Sequence, residues 1–119
     1  MTIEELVKDA YGNSKAHGFH ENEDREKSIP EKLVLIHAEV SEALEHYRTR
    51  NADYEGVTHG LDEVWFDGKG KPDGFAVELA DVVIRIGDLC GQLGIDLTHA
   101  VMQKMAYNKT RPYKHGKCC

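Results

Sequence analysis

An all-α fold is predicted by three features of the chain. Four segments repeat apolar residues at three- and four-residue intervals, and three of them begin beside a residue suited to the start of a helix. The densest run of helix-breaking residues, Gly56, Gly60, Gly68, Gly70 and Pro72, is confined to one stretch between Asn51 and Asp73. The expected architecture is a four-helix bundle forming a single domain over residues 1–119, with a long, hairpin-containing connection between its second and third helices.

The first helix is expected from Ile3, Leu6, Val7, Ala10 and Tyr11, opened by a Thr2/Glu5 capping box and stopped at Gly12 or Gly18. His20 to Lys27 is charged and aperiodic and reads as a solvated loop. Ser28 and Pro30 are expected to open the second helix, which runs to about Arg50 with Leu33, Ile36, Val40, Ala43, Leu44 and Tyr47 on one stripe. Within 51–73, Glu63-Val-Trp-Phe followed by Asp67-Gly-Lys-Gly predicts a short hairpin with a tight turn. A third helix is expected over Phe75–Leu93, ended by Gly94. A fourth follows an Asp96 N-cap, carries Leu97, Val101 and Met105, and ends near Thr110 before Pro112.

The chain of 119 residues has a formal net charge of −6, so its bulk field favours neither a nucleic-acid backbone nor an anionic membrane surface. One basic stretch, Lys104 to Lys117, could help bind a small anion. The three cysteines, Cys90 and the adjacent Cys118 and Cys119, do not make a disulfide framework, and the expected home is a reducing cytoplasm. The first residues lack the basic and apolar regions of a signal peptide, and no apolar run has transmembrane length.

Two carboxylate pairs lie within the apolar stretches. Glu39 and Glu42 flank the stripe of the second helix, and Glu78 and Asp81 that of the third. At roughly 100° per residue, both pairs fall to the same rotational side of their stripes. Helices packed antiparallel would bring all four together; parallel helices would separate them. A carboxylate on a buried flank is costly unless paired, hydrogen-bonded or metal-bound. Oxygen-only donors suit Mg²⁺, with Mn²⁺ able to substitute. Zinc is disfavoured for want of Cys-x-x-Cys, and a di-iron centre for want of Glu-x-x-His. Each pair alone is the ordinary mark of a solvated helix face, so the metal reading depends on the four together.

Around these pairs, Lys104, Asn108 and Arg111 follow a helical stripe that could clamp phosphate oxygens, or simply complement a helix C-terminus. Arg85 is expected as an orienting ion-pair partner of Asp81, and Asp88 as a solvated residue. Trp65, Phe66 and Tyr54 suit either base stacking or packing. His37 and His46 are expected at bundle or subunit contacts, Met102 and Met105 in the core, and the two terminal cysteines in a frayed tail.

Three segments carry a family likeness: Leu35-Ile-His-Ala-Glu-Val-Ser-Glu-Ala-Leu44, Lys71-Pro-Asp-Gly-Phe-Ala-Val-Glu-Leu-Ala-Asp-Val-Val-Ile-Arg-Ile86, and Lys104-Met-Ala-Tyr-Asn-Lys-Thr-Arg-Pro112. In order and spacing they resemble the MazG-like, all-α nucleoside triphosphate pyrophosphohydrolases over most of the chain. One departure is visible, since Ala38 precedes Glu39 where the family often has two adjacent glutamates. The resemblance implies Mg²⁺-dependent hydrolysis of a nucleoside triphosphate between its α and β phosphates, giving a monophosphate and pyrophosphate. It implies metal ligands at Glu39, Glu42, Glu78 and Asp81, a general base at Glu39 or Glu42, phosphate contacts from Lys104, Asn108 and Arg111, and a homodimer or homotetramer. A non-catalytic helical interaction module, or a hydrolase of another pyrophosphate-linked substrate on the same fold, are the competing expectations.

Overall fold

In the computed structural model, which describes residues 1–116, four α-helices and one two-stranded hairpin follow in the expected order. Lys117, Cys118 and Cys119, part of the basic stretch and the terminal thiols, lie outside the described residues. Helix α1 (Ile3–Ala16) begins with the expected box: the Thr2 hydroxyl accepts the Glu5 N–H at 3.0 Å and donates to the Glu5 carboxylate at 3.2 Å. It runs through Gly12, and the chain reverses at Gly18 with φ +83°.

Helix α2 (Arg25–Arg48) starts earlier than Ser28. The Asp24 carboxylate caps it by accepting the Glu26 N–H at 3.1 Å, which places Pro30 inside the helix instead of at its mouth. Proline inside a helix removes one hydrogen bond and crowds the carbonyl of Glu26, so the Asp24 cap offsets only part of its cost. The preceding segment is exposed at Glu21, Asn22 and Asp24, as expected of a solvated loop, but its His20 and Glu23 side chains are drawn in. His20 is 7% exposed, with its ring nitrogens 2.7 Å from Asp88 and 2.9 Å from Glu23, while Lys32 reaches Glu23 at 2.6 Å. Asp88 also accepts from Ser14 at 3.1 Å, so it ties α1 and its following loop to the third helix and is not a free surface charge.

After α2, Arg50 and Asn51 take left-handed backbone angles and turn the chain into the long connection. Strands β1 (Trp65–Phe66) and β2 (Pro72–Asp73) pair antiparallel, Trp65 opposite Asp73. The Asp67 carboxylate accepts the N–H groups of Lys69 and Lys71 and stiffens the turn. Helix α3 (Phe75–Leu93) ends at left-handed Gly94, as expected. Helix α4 (Leu97–Thr110) is capped by Asp96, whose side chain accepts the His99 N–H.

Helix α3 is the axis of the molecule, with α1 on one side and α2 on the other. The α1 side is smooth: a methyl at Gly91 would overlap the Tyr11 side chain, so only glycine lets the two helices approach this closely. Helix α4 packs on α1 and buries no residue of its own, so the four helices do not close into a bundle within one chain. The radius of gyration is 17.2 Å, whereas a compact chain of this length would have roughly 13–14 Å. Buried apolar residues are few: Ala10, Ala43, Trp65, Leu89 and Cys90. Most of the α2 stripe is uncovered, and Met102 and Met105, expected in the core, are exposed on α4. Among the described residues, no helix is long and apolar enough to cross a membrane.

Candidate metal centre

Helices α2 and α3 are antiparallel, because their side chains pair in reverse order: Ser28 and Lys32 with Gln92, Glu39 with Arg85, and His46 with Glu78. This is the orientation that lets the carboxylate flanks meet. Oxygen atoms of Glu39, Glu78 and Asp81 lie within 4.8 Å of one another. Glu42 stands at the rim, exposed to solvent and outside that tightest group, yet close enough to act on Glu78.

Glu78 is the electrostatic centre of the group. Burial, followed by the neighbouring Glu39, Glu42 and Asp73 carboxylates, pushes its pKa up to about 9. Its Oε2 atom is buried and meets no donor. Asp81 is also raised, by burial and then by Glu39, against the opposing pull of Arg85 and Lys71. Burial works in the same direction on Glu39, but hydrogen bonding with Glu78 and with the Arg85 guanidinium outweighs it and holds this carboxyl low. Arg85 thus orients Glu39 across the helix seam, with Nε 2.9 Å from Oε1, and is not the local partner of Asp81 that the one-turn spacing suggested. The donor set fits a hard divalent cation: it is all oxygen, partly dehydrated, and has an excess of negative charge that the protein's own cations do not balance.

The connection 51–73 fixes the start of α3, and therefore Glu78. Asn51 is fully buried; its side-chain oxygen accepts from the Phe75 N–H at 2.9 Å and the Trp65 indole at 3.3 Å, and its amide donates to the Gly60 carbonyl at 2.8 Å. Gly74 has φ +122°, and a Cβ there would crowd Asn51, Glu63 and Trp65 at 3.1–3.2 Å. Trp65 is 9% exposed and stacks against His59, so it packs the loop and is not offered to a base; Phe66 and Tyr54 remain exposed.

Sequence reasoning missed two residues beside the centre. His46 Nε2 lies 3.1 Å from Asp73 Oδ1 and 3.4 Å from Glu78 Oε1. Its spacing of seven residues from Glu39 puts it on the same flank of α2, a signal that was available. Asp73 comes from β2, and only the folded hairpin brings it here. His37 stays on the exposed face of α2.

The three expected phosphate contacts sit elsewhere in the chain. Lys104 and Asn108 are on α4, but Arg111 is its C-cap with extended backbone, because the residue before Pro112 is steered away from helical angles. The Lys104 and Arg111 cations lie over the Tyr107 ring at 5.0 and 5.8 Å. Since α4 leans on α1, across α3 from α2, the chain does not itself bring this stripe to the carboxylates. One open cavity, about 540 Å³, lies between the start of α1 and the α3–α4 turn, lined by Glu4, Val7, Ile95, His99 and Met102, away from the carboxylates. No family model, curated protein or solved structure matches the chain.

Proposed function

We propose that this chain is a Mg²⁺-dependent nucleoside triphosphate pyrophosphohydrolase that cleaves between the α and β phosphates. The observation that carries the reading is the convergence of Glu39, Glu78 and Asp81 on one seam around a buried, donorless Glu78 oxygen. The ordered resemblance of the three quoted segments supplies the substrate class. Glu39, Glu42, Glu78 and Asp81 would hold Mg²⁺, or Mn²⁺ in its place, and that ion would supply neutralisation of phosphate charge and acidification of water. Glu39 is committed to Arg85 and Glu78, which leaves the solvent-facing Glu42 to accept the proton of the attacking water. Lys104, Asn108 and Arg111 would contact the leaving pyrophosphate, supplied by a second copy in a homodimer or homotetramer.

The test is a panel of ribo- and deoxynucleoside triphosphates assayed with Mg²⁺ for pyrophosphate release. Asp81→Asn and Glu42→Gln are each expected to lower turnover by about 100-fold or more while helical content is retained. Release of orthophosphate and a diphosphate would mean attack at the γ-phosphorus and would overturn the reading.

A further inference from the structure

We infer that His46, Asp73 and Glu78 form a second cation subsite, adjoining the carboxylate centre through Glu78 and favouring a divalent first-row transition ion over Mg²⁺, for which Mn²⁺ serves as the spectroscopic probe. The geometry is that of a donor set. Potential ligand atoms of the three residues all lie within 4.8 Å of one another, and the His46 ring nitrogen faces one oxygen of each carboxylate at 3.1 and 3.4 Å. Donors about 2.1 Å from one ion at right angles stand about 3 Å apart, so little movement would be needed to seat a cation.

The second observation is the state of Glu78. The residue is 7% exposed, and its Oε2 meets no donor although its Oε1 faces His46. A carboxylate with one oxygen turned to His46 and Asp73, and contributing as well to the Glu39 and Asp81 group, is placed to bridge two ions. The chemistry of the two groups differs. Glu39, Glu78 and Asp81 offer only oxygen, which suits Mg²⁺; the imidazole shifts preference at the second subsite toward transition ions.

The surroundings hold the donors in place. The His46 ring meets Trp65 edge to face at 5.8 Å, and Asp73 Oδ1 also accepts the Gly74 N–H at 2.8 Å. The alternative role for His46 is a simple polar partner whose single Nε2–H is donated to Asp73 and only approached by Glu78. The subsite depends on the carboxylate centre only for its shared Glu78, and its existence does not depend on which substrate is cleaved.

The test uses the full chain without nucleotide. Mn²⁺ is titrated and counted by its free-ion electron paramagnetic resonance signal, and the bound ions are then searched by electron spin-echo envelope modulation for ¹⁴N coupling. Two ions per chain are expected, one of them coupled to an imidazole nitrogen. His46→Gln should abolish the coupling and weaken that ion by tenfold or more, and Asp73→Asn should weaken the same ion with His46 intact. Asp81→Asn should weaken the other ion and leave the nitrogen coupling. A single bound ion, or two ions with no coupling that depends on His46, overturns the subsite and leaves His46 as a polar partner. In either case, loss of an ion in Asp81→Asn still supports the carboxylate centre. Failure to bind any Mn²⁺ would overturn both.

Discussion

Glu78 shows how one residue can be unfavourable for folding and useful afterwards. It is placed in the first turn of α3, where the helix dipole favours negative charge, yet burial and three carboxylate neighbours act more strongly and raise its pKa to about 9. The unfolded chain releases this proton near 4.5, so the native state binds the extra proton between that value and about 9. The contribution to stability is complete below 4.5 and is lost as pH rises through the folded value. A bound dication reverses the preference by rewarding the ionised form. Mg²⁺ addition at neutral pH in weakly buffered solution is therefore expected to release close to one proton per ion, read with an indicator dye; no release would show that Glu78 is already ionised. Asn51 is the other decisive single residue. Asn51→Ala would strand the Phe75 N–H and the Trp65 indole N–H, each costing about 1–3 kcal/mol when buried without a partner, while the Gly60 carbonyl keeps the Glu63 N–H. Urea denaturation should show a loss of at least about 2 kcal/mol, and a variant of wild-type stability would remove Asn51 as the anchor of α3.

Among the elements, the connection between α2 and α3 is ordered by charge as well as by its turn. His59 lies between Asp53 at 2.9 Å and Glu63 at 3.0 Å, and these hydrogen bonds, Asp53 first, raise its pKa above the ordinary 6.5. Its stabilising share is complete below 6.5 and is lost as pH rises through the raised value; the depressed Asp53 and Glu63 lose theirs only in acid. An NMR titration of the His59 ring should give a midpoint above 6.5 that falls in Asp53→Asn. A midpoint at or below 6.5 in the wild type would mean the triad does not form in solution. None of this could be read in the sequence, because three residues spaced across eleven positions have no local signature. The hairpin was legible, since Asp67 and the glycines encode a turn within five residues. The ends of α3 and α4 were legible for the same reason, through Gly94, Asp96 and Pro112. The start of α2 was not: Pro30 is a conspicuous local mark, but the Asp24 cap lies upstream in a segment whose order comes from His20 reaching Asp88. In the candidate centre, helical rotation was enough to align Glu39, Glu78 and Asp81, whereas Asp73 is delivered by a strand and escaped periodicity.

For the whole molecule, the open arrangement of helices sets the strongest expectation. Gly87 and Gly91 of α3 face α1, while Glu78 and Arg85, about half a turn away at 100° per residue, face α2, so the three helices form a layer with two broad sides. On α2, Val40 is 51% exposed, Leu44 51% and Tyr47 60%; on α3, Leu79 and Val83 are each 46% exposed. Apolar surface of this extent, together with a radius of gyration well above that of a compact chain, is what a chain would present if it shared its core with a second copy. A second copy related by a two-fold axis would cover the face with itself and could bring its α4 stripe toward the carboxylates. Sedimentation at micromolar concentration is therefore expected to show a dimer or tetramer, and Val40→Glu with Leu44→Glu should shift it toward monomer. Mixing Asp81→Asn with Arg111→Ala chains extends the test to the site. Each is expected to be inactive alone, and exchange of subunits should restore part of the activity, because one composite site then keeps both its carboxylates and its clamp. A fully active monomer, or no recovery from an exchanged mixture, would place the clamp and the carboxylates in independent roles.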